Sequence, residues 1–193
     1  MFSIDEQLKI IRKRTLEIIN EDELIEKLKK GRPLNVKLGV DPTSPDIHLG
    51  HTVVLNKLRD FQILGHQIIL IIGSGTAVIG DPSGRDKTRN LLTIDEIERN
   101  AKYYSEQAFK ILDKEKTIIR FNGDWLLNLA LKDLVFLSSH FTIARILERD
   151  DFFNRYKSGS PIYLHEFFYP VMQAYDSIVI DADIELGGSD QKF

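Results

Sequence analysis

The sequence predicts an α/β fold, a mostly parallel, doubly wound sheet with helices on both faces. Short aliphatic runs at Val36 to Val40, Gln67 to Ile72 and Thr117 to Phe121 alternate with longer segments whose apolar residues recur at helical spacing. The run Ile68-Ile69-Leu70-Ile71-Ile72 has no polar alternation, the pattern of a strand buried on both faces. Turn-rich loops leave the first two runs, and in such sheets ligands bind where the strands end.

Each element follows from its own pattern. Ile4, Leu8, Ile11, Leu16 and Ile19, then Leu24, Ile25 and Leu28, predict a leading helical pair that Gly31 and Pro33 end. A strand at Val36 to Val40, a helix at Val53 to Leu64 with Val54, Leu55, Leu58 and Phe61 on one stripe, and a strand at Gln67 to Ile72 make a βαβ unit. A loop runs from Gly73 to Asn90. Thr93 and Glu96 then form a capping box for a helix to about Leu112. After the strand at Thr117 to Phe121, helical patterns lie near Trp125 to Ser139, Thr142 to Leu147, Asp151 to Tyr156 and Leu164 to Asp176, with a last strand near Asp183 to Leu186. Residues 1–35 read as an N-terminal helical segment and 36–193 as the α/β domain. The final Gly187 to Phe193 has the chemistry of a strand opening into another helix, so a fragment of a longer protein is expected.

Composition narrows the chemistry. With 193 residues, 42% hydrophobic and 28% charged, the chain is globular and long enough for one sizeable core. Its 26 basic and 29 acidic residues give a net charge of -3, so an RNA partner needs a local basic patch. No cysteine is present, which removes disulfides, thiolate nucleophiles and Cys-ligated zinc. The acidic start Met1 to Glu6 is unlike an export signal, and Ile68 to Ile72 is far short of the roughly 18 apolar residues of a membrane span. A soluble cytoplasmic protein with no membrane partner is expected.

Three clusters carry chemistry. Asp41-Pro42-Thr43-Ser44-Pro45-Asp46-Ile47-His48-Leu49-Gly50-His51 leaves a strand and enters a helix, with two imidazoles within one turn. Gly50 lets a bulky group approach, and the helix N-terminus adds positive charge, an arrangement suited to phosphate without a metal. Two histidines capping a surface helix are the plain alternative. The second cluster, Gly73-Ser74-Gly75-Thr76 and Gly80-Asp81-Pro82-Ser83-Gly84, lacks the lysine of a P-loop and the third glycine of a dinucleotide fingerprint. It offers exposed amides and a carboxylate, Asp81, for an ammonium group. In the third, Tyr169, Gln173 and Asp176 fall at i, i+4 and i+7 on one helical face among Phe167, Phe168, Val171 and Met172. Polar groups so placed need partners, which a polar ligand supplies.

HLGH at 48 to 51 resembles the HIGH signature of class I aminoacyl-tRNA synthetases. DPTSPDIHLGH, GDPSG, YPVMQAYD and GGSDQKF, in that order from about Val36 to Phe193, resemble the bacterial tyrosyl-tRNA synthetases. The resemblance implies a Rossmann-like domain of the HIGH-type nucleotidyltransferases that activates L-tyrosine with ATP and charges tRNA(Tyr). It implies that Thr43, His48 and His51 meet the ATP phosphates and that Gly50 packs under adenine and ribose. By the same resemblance Gly188, Asp190 and Gln191 line the ribose and carboxylate region, with Asp190 on the ribose hydroxyls. Asp41 would sit where aminoacyl group and nucleotide meet, Asp81, Tyr169 and Gln173 would hold the ammonium, and Asp176 would accept from the phenol.

Mg²⁺ is expected to ride on the ATP phosphates, with no protein ligand named. Lys37 and Glu185 replace a tyrosine and a glutamine of one branch of the family, and either pair with each other or mark a second bacterial branch. The KMSKS loop and anticodon-binding region would lie beyond Phe193, so the chain alone should be a poor catalyst. The resemblance also implies a homodimer, with Trp125, Leu126, Phe136, Leu137, Phe141 and Ile143 in the region of its interface, where a core role is equally natural. A tryptophan-specific synthetase and a non-catalytic RNA-binding paralogue are the competing readings.

Overall fold

The computed structural model describes residues 2–42, 47, 49–78 and 93–188. Strands β1 (Asn35–Val40), β2 (Gln67–Ile72), β3 (Thr117–Phe121) and β4 (Ile184–Leu186) form one sheet in the order β3-β2-β1-β4. Every pairing is parallel: Val36 lies opposite both Ile68 and Ile184, and Ile72 lies opposite both Val40 and Phe121. All four strands therefore end on one edge. The order grows outward from β1 through β2 to β3, then returns to place β4 on the other side of β1, which creates a crevice between β1 and β4.

The helices start where their caps dictate. Helix α1 (Ile4–Arg12) and helix α2 (Glu21–Lys29) form the expected leading pair, the first opened by a Ser3–Glu6 capping box, but the expected Leu16 and Ile19 lie between the helices and are exposed, because α1 ends at Arg12. They add Leu8, Ile11, Leu24 and Leu28 to the core that also holds Leu34, Val36, Leu55, Leu58 and Phe61. Helix α3 (Leu49–Leu64) begins four residues before the expected Val53, so Gly50 and His51 belong to its first turn. Lys57 of α3 is buried and its Nζ donates to the Ile10, Ile11 and Lys13 carbonyls, closing the end of α1. Helix α4 (Ile94–Ala108) carries the expected Thr93–Glu96 capping box and stops short of Leu112, which is nonetheless buried.

The expected helix near Trp125 to Ser139 is two, α5 (Gly123–Leu126) and α6 (Leu131–Ser138), because Asp133 reaches back to the Ala130 amide at 3.0 Å and starts a new cap. Helices α7 (Ile143–Ile146) and α8 (Asp150–Ser158) follow, α8 ending on Gly159 at a φ of 70°. Helix α9 (Phe168–Val179) is entered through a 3₁₀ turn at Leu164–Phe167. Pro170 has no amide for the Glu166 carbonyl, so the α pattern takes Pro170 only in its first turn. At the start of β4, Asp183 accepts two Arg32 N–H groups at 2.8 Å each and the Asn35 amide at 3.0 Å, which pins the short strand to β1.

His66, beside the positive-φ turn at Gly65, joins three elements. Its Nδ1 accepts the Leu34 amide at 3.2 Å and its Nε2 faces Gln7 Oε1 at 3.1 Å. The ring is therefore neutral with its proton on Nε2. Burial lowers its pKa, against a smaller opposing pull from Asp183. A lowered folded value means that the unfolded chain binds the proton more readily, so stability is full above the free histidine pKa of about 6.5 and falls as pH drops through the folded value. Thermal unfolding followed from about pH 7.5 down to about pH 5 should show a steeper loss for the wild type than for His66→Gln; parallel curves would contradict this assignment.

Candidate active site

The first polar residues past the strands meet at the carboxyl edge. Asp41, one residue beyond β1, accepts Thr76 Oγ1 at 2.8 Å on one oxygen and the Tyr169 hydroxyl at 2.9 Å on the other. Asn122, one residue beyond β3, donates through Nδ2 to Thr76 Oγ1 at 3.2 Å and to Asp176 Oδ2 at 3.0 Å. Trp125 Nε1 donates to Asp176 Oδ1 at 2.8 Å. One connected network thus runs from Tyr169 through Asp41, Thr76 and Asn122 to Asp176. Tyr169 and Asp176 both descend from α9, seven residues apart on the stripe the sequence predicts.

Close backbone approach makes this possible. A Cβ on Gly73 would lie 1.9 Å from Asp41 Oδ1 and 2.5 Å from Thr76 Oγ1, so no other residue fits there. The amides of the Gly73 to Gly75 turn are not exposed, contrary to the sequence reading. Gly73 donates to Val40 O at 2.8 Å, Ser74 to Ile72 O at 2.8 Å and Gly75 to Asn122 Oδ1 at 2.7 Å. Gly73 and Gly75 are buried between two strand ends and must satisfy their amides internally. Gly75 and Thr76 lock the ends of β2 and β3 together instead of cradling an anion.

Asp176 is 3% exposed, and burial raises its pKa while the Asn122 and Trp125 hydrogen bonds and the nearby Lys37 charge oppose that rise. Lys37 is fully buried on β1. Its Nζ donates to the Gln173 carbonyl at 2.9 Å, Ser177 Oγ at 2.8 Å and Glu185 Oε1 at 3.0 Å. The first of the two alternatives open for this pair is therefore present, and it ties α9 to both β1 and β4. Gln173 takes part through its carbonyl, which the side-chain pattern did not anticipate.

Gly50 and His51 occupy the first turn of α3, with the His51 ring edge-to-face on Tyr104 of α4. Gly188 is exposed just past β4. Thr43, His48, Asp81, Asp190 and Gln191 lie outside the described residues. Among the described residues no group of three His, Cys, Asp or Glu side chains is placed to hold a metal ion, and no helix is long and apolar enough to cross a membrane.

The sequence reading had Thr76 in the glycine-rich cluster without a role of its own, missed Asn122 and placed Trp125 with an apolar cluster. Trp125 and Leu126 turn inward, Leu126 into the interior and Trp125 onto Asp176, while Phe136 and Ile143 stay exposed. The usable signal for Asn122 is its position immediately after Phe121, the last residue of a parallel strand, the same position that Asp41 holds after Val40.

Residues 29–193 match the family described as tRNA synthetases class I (W and Y). The tyrosine–tRNA ligase of Carboxydothermus hydrogenoformans is 59% identical over 191 residues, 97% of this chain and 46% of that protein. That of Aquifex aeolicus is 57% identical over 189 residues, 98% of this chain and 48% of that protein. The chain thus spans about half the length of these curated relatives. Among solved structures, a C-terminally truncated Aspergillus nidulans mitochondrial tyrosyl-tRNA synthetase superposes with a TM-score of 0.78 at 25% identity, over 99% of this chain and 58% of that one. The Archaeoglobus fulgidus tyrosyl-tRNA synthetase complexed with L-tyrosine shares the fold, with a TM-score of 0.79 at 24% identity over 98% of this chain and 56% of that one. Matched by the family over most of its length and carrying its parallel sheet, the chain belongs to the class I tRNA synthetases of the W and Y type.

Proposed function

We propose that this chain is the tyrosine-activating part of a tyrosine–tRNA ligase, which joins L-tyrosine to ATP as tyrosyl-adenylate with release of pyrophosphate and then transfers tyrosine to tRNA(Tyr). The observation that carries this reading is the buried Asp176 carboxylate. Its two oxygens each accept one protein N–H, from Asn122 and Trp125, and an ionised carboxylate has about four acceptor positions. A phenol is a donor of the right polarity for the remaining capacity, and a ligand without one leaves the buried charge short of a partner. The relatives named tyrosine–tRNA ligase support the same substrate.

The rest of the site follows. Tyr169 gives its proton to Asp41 and so presents an oxygen suited to an ammonium group, a task shared with Gln173 and Asp81. The tyrosine carboxylate oxygen attacks the α-phosphorus in line, an anhydride bond forms and the bond to pyrophosphate breaks. The nucleophile is already an anion, so the residues position groups and stabilise charge, and no general base is required. Thr43, His48 and His51 are assigned to the phosphates, Gly50 to adenine and ribose, Gly188, Asp190 and Gln191 to ribose and carboxylate, and Asp41 to the junction. Mg²⁺ is assigned to the ATP phosphates, and no protein ligand is named for it. Residues 36–193 form the catalytic portion behind the helical segment 1–35, in a cytoplasmic protein.

Calorimetric titration tests the substrate. The chain should bind L-tyrosine in preference to L-phenylalanine and L-tryptophan. Asp176→Asn should weaken tyrosine by about 10- to 100-fold, the loss of a hydrogen bond to a charged group, and leave phenylalanine unchanged. A folded chain with no preference for tyrosine would overturn the reading.

Because Asp176 must be ionised to accept the phenol and burial raises its pKa, tyrosine affinity should fall with acidification above the ordinary carboxylate range. Lys37→Met removes a nearby positive charge, so its affinity should fall at a higher pH than that of the wild type. An unmoved profile in a folded Lys37→Met protein would separate Lys37 from the site.

The homodimer is assigned to the apolar face of α6 and its neighbours, where Leu131, Val135, Phe136 and Ile143 are all at least 60% exposed. Sedimentation should show a dimer for the wild type and a monomer for Phe136→Glu; an unchanged dimer would place the interface elsewhere.

A further inference from the structure

Helix α4 lies outside the tyrosine network, yet three residues on one of its faces reach Pro42 and Ile47, between β1 and α3, and His51 in the first turn of α3. Asn100, 7% exposed, donates through Nδ2 to the Pro42 carbonyl at 3.0 Å. Gln107 accepts the Ile47 amide on Oε1 at 3.0 Å. Between them Tyr104, 3% exposed, sets its ring against His51 with centroids 5.7 Å apart and planes at 78°. At i, i+4 and i+7 these side chains form a single stripe on the helix.

The contacts fall just after β1, just before α3 and in the first turn of α3. A carbonyl, an amide and a ring held from one rigid helix fix both the position and the orientation of what they hold. The Pro42 carbonyl and the Ile47 amide each take a side-chain partner from α4 where regular structure would otherwise supply one. Helix α4 is anchored for this role by its Thr93–Glu96 capping box and by the buried Ile97, Ala101 and Ala108. The Tyr104 hydroxyl is buried without a hydrogen-bond partner among the described residues, and burial pushes its pKa up to about 12. The contact with His51 is therefore made by the ring and not by a shared proton.

We propose that Asn100, Tyr104 and Gln107 are positioning residues that hold His51, with Pro42 and Ile47 before it, in the geometry nucleotide phosphates require, and so set nucleotide affinity separately from tyrosine affinity. This rests on the assignment of His51 to the phosphate site. None of the three contributes to the Asp41–Thr76–Asn122–Asp176 network, so the two affinities are separable.

The test combines hydrogen exchange at the Ile47 amide with calorimetric titration of α,β-methylene ATP into tyrosine-saturated protein. Gln107→Leu should accelerate Ile47 exchange by about tenfold or more, and Asn100→Leu, Gln107→Leu and Tyr104→Leu should each weaken the nucleotide analogue by about tenfold, the order of one lost hydrogen bond or ring contact. Tyrosine affinity should stay within about twofold of wild type, which also certifies the fold. Tyr104→Phe, which keeps the ring, should recover what Tyr104→Leu loses. Should Asn100→Leu fail to fold, the half-buried Gln107 and the Tyr104 pair still decide the matter. Faster Ile47 exchange with nucleotide affinity intact overturns the proposal, as does an equal loss of both affinities, which marks a general structural role. A wild-type chain that binds tyrosine but not the analogue overturns the assignment of the histidine turn to phosphate, and the positioning role with it.

Discussion

The parallel ladder of β1 with β2 and β4 is the constraint on which the rest depends. Because Asn35–Val40 pairs in one direction with Gln67–Ile72 and with Ile184–Leu186, the residues that follow the strands emerge on one edge. The ladder is held from both faces. Val36, Ile68, Leu70 and Ile72 are fully buried, each worth about 1.5–3 kcal/mol when removed from water, and α1, α2, α3 and α4 supply the side chains they pack against on one face. A slip of one residue would turn every side chain of β1 to the opposite face and move Asp41 away from Thr76.

Polar groups buried in such a fold are costly unless each finds a partner, and here the partners are also the connections. Lys37 crosses from β1 to α9 and β4, and its charge meets a carboxylate, a hydroxyl and a carbonyl. Asp176 is held by an amide from the end of β3 and an indole from α5. These bonds orient α9 so that Tyr169 reaches Asp41 while Asp176 stays buried against Asn122 and Trp125. The same groups that stabilise the packing therefore preorganise the pocket, and a ligand enters a site whose hydrogen-bond directions are already set.

Much of this is legible in the sequence. Unbroken aliphatic runs placed β1, β2 and β3 close to their observed limits and a capping box placed the start of α4, because those signals are local. The i, i+4, i+7 stripe of α9 identified Tyr169 and Asp176 as inward polar groups. The sequence did not show that Trp125 turns onto Asp176, since an aromatic in a short helix reads equally as core or surface. Nor did it show that the Gly73 turn would use its amides internally, because that depends on how near β3 comes. Nor did it single out Asn100 and Gln107, whose partners Pro42 and Ile47 lie 58 and 60 positions away.

By itself, then, the sequence determined the element types, the parallel architecture and the family to which these belong. Those properties follow from periodicity, caps and motif order, which are written along the chain. The tertiary structure decided which side chains share one network: Asp41 with Tyr169 across 128 positions, Asn122 with Asp176 across 54, and Asn100 with Pro42 across 58. Such pairings arise only when the sheet order brings distant strand ends and helices within hydrogen-bond reach, and hydrogen bonds act over about 3 Å of space whatever the separation in sequence.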